Sequence, residues 1–287
     1  ADPAWHASRE MFEAVFKGHP YAAPADGTPE TIKAIERQDL IDFVETQLTK
    51  DNLIIGVTGD LDAASAAIVV ETIFGDLPDT AEREEVPRAV FPHKGETTYR
   101  DWDGPQAVIS FAHPGLSREH EEWFSARLLD HIIGAGGFTA RLTEELRVKR
   151  GLTYGIHTSL IDFDRGPIFM GQTAVTADAS EAVINTIRQE IERVKKFGVT
   201  ESELKTAKAY INGALPLALS STQAIAALLV QMQDDNLPID YLDYRAGYVN
   251  SITLEHINAF AREWLVPERI IFAVAGKSIV TEVKSDD

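Results

Sequence analysis

The chain has 287 residues, 44% of them hydrophobic and 25% charged, which suits one large or two modest folded domains and excludes a disordered polymer. It contains no Cys, so disulfides, thiolate metal sites and a cysteine nucleophile are excluded. A formal net charge of −18 argues against nucleic acid as a partner, because phosphate binding needs clustered Lys and Arg. A basic or unfolded peptide remains compatible with that charge.

No apolar run reaches the roughly 20 residues that a membrane-crossing helix needs. No signal-peptide pattern opens the chain, although a leader removed ahead of Ala1 would leave the same start. Ala4 to Phe16 has helical spacing through Trp5, Met11, Phe12 and Phe16, and a Pro/Gly-rich loop follows over residues 18–27. Thr28-Pro29-Glu30 reads as a helix start, and Asp39 to Leu48 is amphipathic through Leu40, Phe43, Val44 and Leu48. Leu53 to Thr58 is strand-like, with Gly59-Asp60 ending it, and Asp62 to Phe74 is a helix. Residues 81–96 fall in a charged, Pro-rich stretch and read as an inter-domain linker.

Beyond the linker a strand runs from Ala107 to Ala112 and a helix from about Glu119 to Ile133. Gly134-Ala135-Gly136-Gly137 breaks that helix. No Gly-Lys-Ser/Thr follows, so it is no phosphate loop, and Gly134, Gly136 and Gly137 read as a linker or hinge. Phe138 to Arg150 is helical again. Leu152 to Phe163 and Ile168 to Val175 form a hairpin across Asp164-Arg165-Gly166-Pro167. Ala182 to Phe197 is strongly amphipathic. Helices then run over about 201–219 (with a kink at Pro216), 222–233, 240–250 and 254–265, and Ile270 to Ala275 is the last strand.

The chain repeats itself. Phe43 matches Phe260, Leu48 matches Leu265, Ile54 matches Ile271, Val57 matches Val274 and Gly59 matches Gly276, each pair 217 positions apart without a gap. A helix-then-strand unit ending in Gly therefore occurs twice. The later copy belongs to a region that starts near residue 95, so about 120 residues of the earlier copy are expected to lie ahead of this chain. The expected organisation is the later part of a truncated first domain over 1–80, the linker over 81–96, and a complete second domain over 97–287.

Gly136 to Tyr154 carries the most informative pattern: a glycine linker, a helix ending in Leu146-Arg147, then Gly151-Leu152-Thr153-Tyr154 opening a strand. It resembles the second-domain signature of pitrilysin-type (insulinase-family) zinc metallopeptidases. Gly18-His19-Pro20-Tyr21, Gly59-Asp60 and Phe74-Gly75-Asp76-Leu77-Pro78 resemble the later half of that family's first domain, so the likeness spans nearly the whole chain in order. The resemblance implies an α+β fold: two homologous domains of mostly antiparallel sheet with helices packed on one face, the first only partly present. It also implies that Arg147 and Tyr154 hold the substrate carbonyl and stabilise the oxyanion opposite a zinc. Read without the family, Arg147 is a solvated helix-end cation and Tyr154 a core strand residue.

The family's zinc motif, His-x-x-Glu-His on a helix, is absent. Arg127-Leu128-Leu129-Asp130-His131 is a degenerate echo, with a cation where the first His would stand, so no metal is expected at His131 or elsewhere on this chain. His19 reads as a structural loop residue and His113-Pro114-Gly115 as a turn. The resemblance thus implies a non-catalytic subunit or half of a zinc endopeptidase, of the inactive-domain type. No cofactor is expected on this chain, and zinc is expected on a homologous partner subunit or on the missing segment. Peptides are the expected substrates, and a bacterial periplasmic or envelope location is expected. Two alternatives stand beside it: a piece of an active homodimeric peptidase whose motif lies upstream, and a purely structural subunit of the core-protein type.

Overall fold

The structure is a computed structural model and describes residues 2–277. In chain order the described elements are α1 (Pro3–Val15), α2 (Pro29–Ala34), α3 (Arg37–Gln47), α4 (Ala63–Phe74), β1 (Thr97–Asp101), β2 (Gln106–Pro114), α5 (Trp123–Asp130), α6 (Arg141–Thr143), β3 (Thr153–Ile161), β4 (Ile168–Thr176), α7 (Ser180–Phe197), α8 (Glu201–Ala218), α9 (Thr222–Asp234), α10 (Tyr241–Ser251), α11 (Leu254–Trp264) and β5 (Ile271–Gly276). Two π-helical turns extend the short helices: His131–Ala135 continues α5, and Glu144–Lys149 continues α6.

Local chemistry sets several of these ends. Asp2, Asp62, Ser221 and Thr253 cap α1, α4, α9 and α11 by accepting from backbone N–H groups of the first turn. Gly198, at φ +75°, stops α7 in a conformation that side chains with a Cβ avoid. Pro216 lies in the last turn of α8, where the helix is about to end.

The chain packs as two compact units. One comprises Ala1–Ala23, Pro87–Ala209 and Gly247–Asp287, the other Pro24–Val86 and Tyr210–Ala246. The boundary at Val86–Pro87 falls inside the 81–96 linker. Residues 1–23 and 210–246, however, cluster across the linear division at residue 80, because a helix packs where its apolar stripe finds cover, whatever its place in the sequence.

The larger unit is built on a five-stranded sheet ordered β1-β5-β2-β4-β3. Only β1 and β5 run parallel; the remaining pairs are antiparallel. Strand alternation divides the core between two faces. On one face Phe111 and Phe272 pack at 5.7 Å, Trp264 of α11 meets Phe169, and Arg188 of α7 lies over the Phe272 ring. On the other, α1 presents Ala7, Met11 and Val15, spaced one turn apart, to Val108, Ala112, Ile271, Ala273 and Ala275. The α+β fold with a mostly antiparallel sheet is therefore as expected, with α1 added on the face away from α7 and α11.

β1 is absent from the sequence-based elements. It lies at an edge, has three exposed residues out of five, and so lacks the apolar alternation of a buried strand.

The smaller unit corrects one expectation: Leu53–Thr58 is extended but is no strand. A strand needs a neighbour for its N–H and C=O groups, and none pairs with this segment among the described residues. It lies instead along α9. Gly56 approaches so closely that a Cβ there would sit 2.5 Å from the Ala226 carbonyl oxygen, and Gln233 Nε2 donates to the Ile55 carbonyl at 3.2 Å. Ile32, Leu40, Phe43, Ile68 and Ile73 of α2, α3 and α4 remain exposed.

Candidate functional site

Arg147 and Tyr154 flank one helix-to-strand turn. Leu142 and Leu146 are fully buried and anchor the helix. The N–H of Gly151 returns to the Arg147 carbonyl at 3.1 Å and that of Leu152 to the Leu146 carbonyl at 2.8 Å. Gly151 has φ +63°, which explains a glycine at this point. Arg147 is exposed and its guanidinium lies 4.5 Å from the Phe138 ring centre, a cation–π contact that holds the side chain beside the turn.

Tyr154 is 86% exposed near the start of β3, an edge strand. A bulge lies at this point. Thr153 pairs with Val175, but the next paired residue, Ile156, faces Thr173, so β3 uses one residue more than β4. The turn thus brings Arg147 and Tyr154 to one end of β3, and both face solvent.

The three glycines differ in what they do. A Cβ on Gly134 would lie 2.4 Å from the Thr158 side chain, and one on Gly136 would lie 2.6 Å from the His131 carbonyl oxygen. Close packing therefore accounts for both. Gly137 has φ +59° and open space around it, so its reason is conformational.

Beneath this loop lies the echo of the metal motif. Asp130 is fully buried. It accepts from the Thr158 hydroxyl at 2.6 Å and faces Arg127 Nη1 at 3.3 Å. Burial pushes its carboxyl up from the ordinary aspartate range, against the Thr158 and Arg127 contacts, which pull it down. Burial, and then the nearby Arg127 charge, push His131 down. A guanidinium already paired with the carboxylate is no zinc ligand set. Among the described residues, no group of three or more His, Asp or Glu could hold a metal ion. These residues do not fit a zinc ion.

Two further histidines are structural. His19 accepts from the Tyr21 N–H through Nδ1 and bonds the Pro87 carbonyl through Nε2 at 2.8 Å. His113, read from sequence as part of a turn, is fully buried at the end of β2. Its Nε2 accepts from the Val266 N–H at 2.9 Å, and its Nδ1 donates to the Pro114 carbonyl at 2.8 Å. Burial pushes it down to about 3, so it is neutral. A charged cavity of about 500 Å³ beside α7 is lined by paired groups, chiefly Arg141 with Glu203 at 2.6 Å and Arg193 with Glu190 at 2.7 Å. Sequence reading missed Thr153, Thr158 and Thr173, because threonines within strands read as ordinary strand formers.

The family model of the Peptidase M16 inactive domain matches residues 34–211. The chain belongs to that family. This M16 inactive-domain protein is 26% identical over 274 residues to an uncharacterized zinc protease of Mycobacterium leprae, a match covering 93% of this chain and 60% of the relative. It is 26% identical over 231 residues to a probable mitochondrial-processing peptidase subunit beta of Schizosaccharomyces pombe, covering 74% of this chain and 48% of that one. The crystal structure of a peptidase M16 inactive domain from Pseudomonas fluorescens superposes with a TM-score of 0.89 at 26% identity, covering 97% of this chain and 66% of that one. The M16 chain therefore spans about 60% of the length of the first curated relatives it matches. Among its described residues no single helix is long and apolar enough to cross a membrane.

Proposed function

We propose that this chain is a non-catalytic half or subunit of a zinc-dependent endopeptidase, lending peptide-binding surface and the Arg147/Tyr154 pair to a zinc held elsewhere. The observation that carries the reading is the presence of these two exposed donors at one end of an edge strand of an M16 inactive domain, beside a metal-motif echo closed by Arg127 and Asp130. A guanidinium and a phenol both donate hydrogen bonds, and a developing oxyanion needs donors already in place. The outer edge of β3 offers unpaired N–H and C=O groups to an extended peptide, which gives sequence-tolerant affinity.

The zinc comes from a homologous partner subunit. Residues 1–80 are proposed as the later part of a first domain homologous to residues 97–287. The test is peptidase activity of the chain alone and with a zinc-bearing M16 partner. Activity only in the mixture, lost on chelation and reduced about 100-fold by Arg147→Ala or Tyr154→Phe, is the expected result. Chelator-sensitive activity of the chain alone defeats it.

One observation favours a second reading. The M. leprae relative bears the name zinc protease and is covered over only 60% of its length, which fits a piece of an active homodimeric enzyme with its motif upstream. Restored activity in a longer form of the same chain, without any other protein, would select that reading. A purely structural subunit would leave a partner's peptidase rate unchanged when both Arg147 and Tyr154 are replaced.

A further inference from the structure

We infer that the hydroxyls of Thr153 and Thr173 are positioning groups that hold the bulge at Gly155 and so aim Tyr154 outward from β3. The role given to Tyr154 rests on the function proposed above; the geometry that aims it does not.

A bulge inserts one residue whose N–H and C=O lose their places in the ladder. In a strand backed by a buried core that loss is costly unless other groups take both. Here Tyr154 and Gly155 together stand against Ala174, and two hydroxyls take the N–H and C=O of Gly155. The Gly155 N–H donates to Thr153 Oγ1 at 3.1 Å. Thr153 Oγ1 lies 2.8 Å from Thr173 Oγ1, and Thr173 Oγ1 donates to the Gly155 carbonyl at 2.8 Å. With the Thr153 hydroxyl donating to Thr173, each hydroxyl donates once and accepts once, and the ring closes on the N–H and C=O of one residue, Gly155. Thr153 Oγ1 also lies 2.8 Å from the Ala174 carbonyl and 2.9 Å from that of Gly155, so the cluster ties β4 to the bulge at several points. Both threonines are buried.

The consequence for Tyr154 follows from strand periodicity. Side chains alternate between faces, so losing one residue from the register moves every neighbour on that side to the opposite face. With the bulge, Tyr154 stands in solvent beside the turn that carries Arg147. Without it, continuous pairing from Ile156 back to Thr153 leaves no place for both Tyr154 and Gly155. Valine matches the shape of threonine but offers neither donor nor acceptor. It removes the ring while leaving the packing volume nearly unchanged.

The test is nitration of Tyr154 by tetranitromethane, read by mass spectrometry, in Thr173→Val and Thr153→Val. Tyr99, Tyr210 and Tyr248, exposed elsewhere, are internal references. Amide exchange at Gly155 and Ile156 is followed in the same samples. The expected result is nitration of Tyr154 slowed about tenfold against the references, faster exchange at Gly155, and recovery of both in Thr173→Ser, which keeps the hydroxyl. Should a valine variant fail to fold, Thr173→Ala serves instead, since it also removes the hydroxyl and adds no branched apolar side chain. A folded valine or alanine variant with Tyr154 nitrated at the wild-type rate overturns the inference. Slowed nitration with unchanged peptidase activity in the mixture supports the positioning and defeats the proposed role of Tyr154. Unchanged nitration with lost activity defeats the positioning alone.

Discussion

Phe43 is 57% exposed, whereas Phe260, its counterpart 217 positions on in the repeat, is only 9% exposed. The same contrast holds down the repeat: Leu48, Ile54 and Val57 are exposed, and Leu265, Ile271 and Val274 are buried. In the larger unit β5 lies between β1 and β2 and Phe260 stacks on Trp264 at 5.4 Å; among the described residues the earlier copy lies in no sheet.

That contrast predicts self-association of the isolated chain. An apolar face of this kind attracts another one. Sedimentation at rising concentration is expected to show oligomers, and Phe43→Lys with Val44→Lys to shift them towards monomer with each change altering stability by under about 0.5 kcal/mol. Phe260→Ala is expected to cost about 3–5 kcal/mol instead. A strictly monomeric wild-type chain that does not bind an apolar dye would contradict the first expectation.

Asp130 and Thr158 should respond unequally to substitution. Thr158→Val strands a buried carboxylate oxygen and is expected to cost about 1–3 kcal/mol in urea unfolding. Because burial raises the Asp130 carboxyl, its contribution to stability is fullest below the ordinary aspartate range and declines as pH rises through the raised value. Asp130→Asn keeps an acceptor for Thr158 without the charge, so it is expected to equal or exceed the wild type at pH 7, and Asp130→Ala to fall below it. Equal losses in the Asn and Ala variants would show that the charge itself is what matters.

His113 makes stability depend on pH. Its folded value, about 3, lies below the unfolded value near 6.5, so the unfolded chain takes up a proton first on acidification. Stability from this group is complete above about pH 6.5 and declines as pH falls towards 3, by up to about 5 kcal/mol. Urea midpoints measured across that window should slope in the wild type and flatten in His113→Gln, at a lower overall stability. An equal slope in both proteins would assign the effect to other groups.

Glu203 acts in a lower window. Burial raises its carboxyl, but the Arg141 side chain and the Thr200 N–H and hydroxyl outweigh that and hold it at about 2. Its contribution is present above the ordinary glutamate value and is lost as pH falls from about 4.5 to 2. Arg141→Gln removes the two-point contact, at 2.6 and 2.8 Å, and is expected to cost about 2 kcal/mol at pH 7. It should also move the Glu203 titration upward in carbon-detected NMR. A titration that stays in place would mean that Thr200 alone holds the carboxylate.

The helices, the 168–176 hairpin strand and the family signature from Gly136 to Tyr154 were legible without coordinates, because each rests on neighbours within one or two turns or on alternation along a single strand. The repeat was legible for the same reason: it compares the chain with itself. Pairing decided the rest. Leu53–Thr58 has the composition of a strand and is none, since a strand exists only beside another; Thr97–Asp101 lacks the apolar alternation of a strand and is one, since β5 lies next to it. At the candidate site, Arg147 and Tyr154 were named from the family resemblance alone. Tyr154's outward aim depends on Thr173, nineteen positions away in the chain and across a bulge, and no local pattern records that. Side-chain chemistry is written residue by residue, whereas register and burial are set by whatever the fold brings alongside.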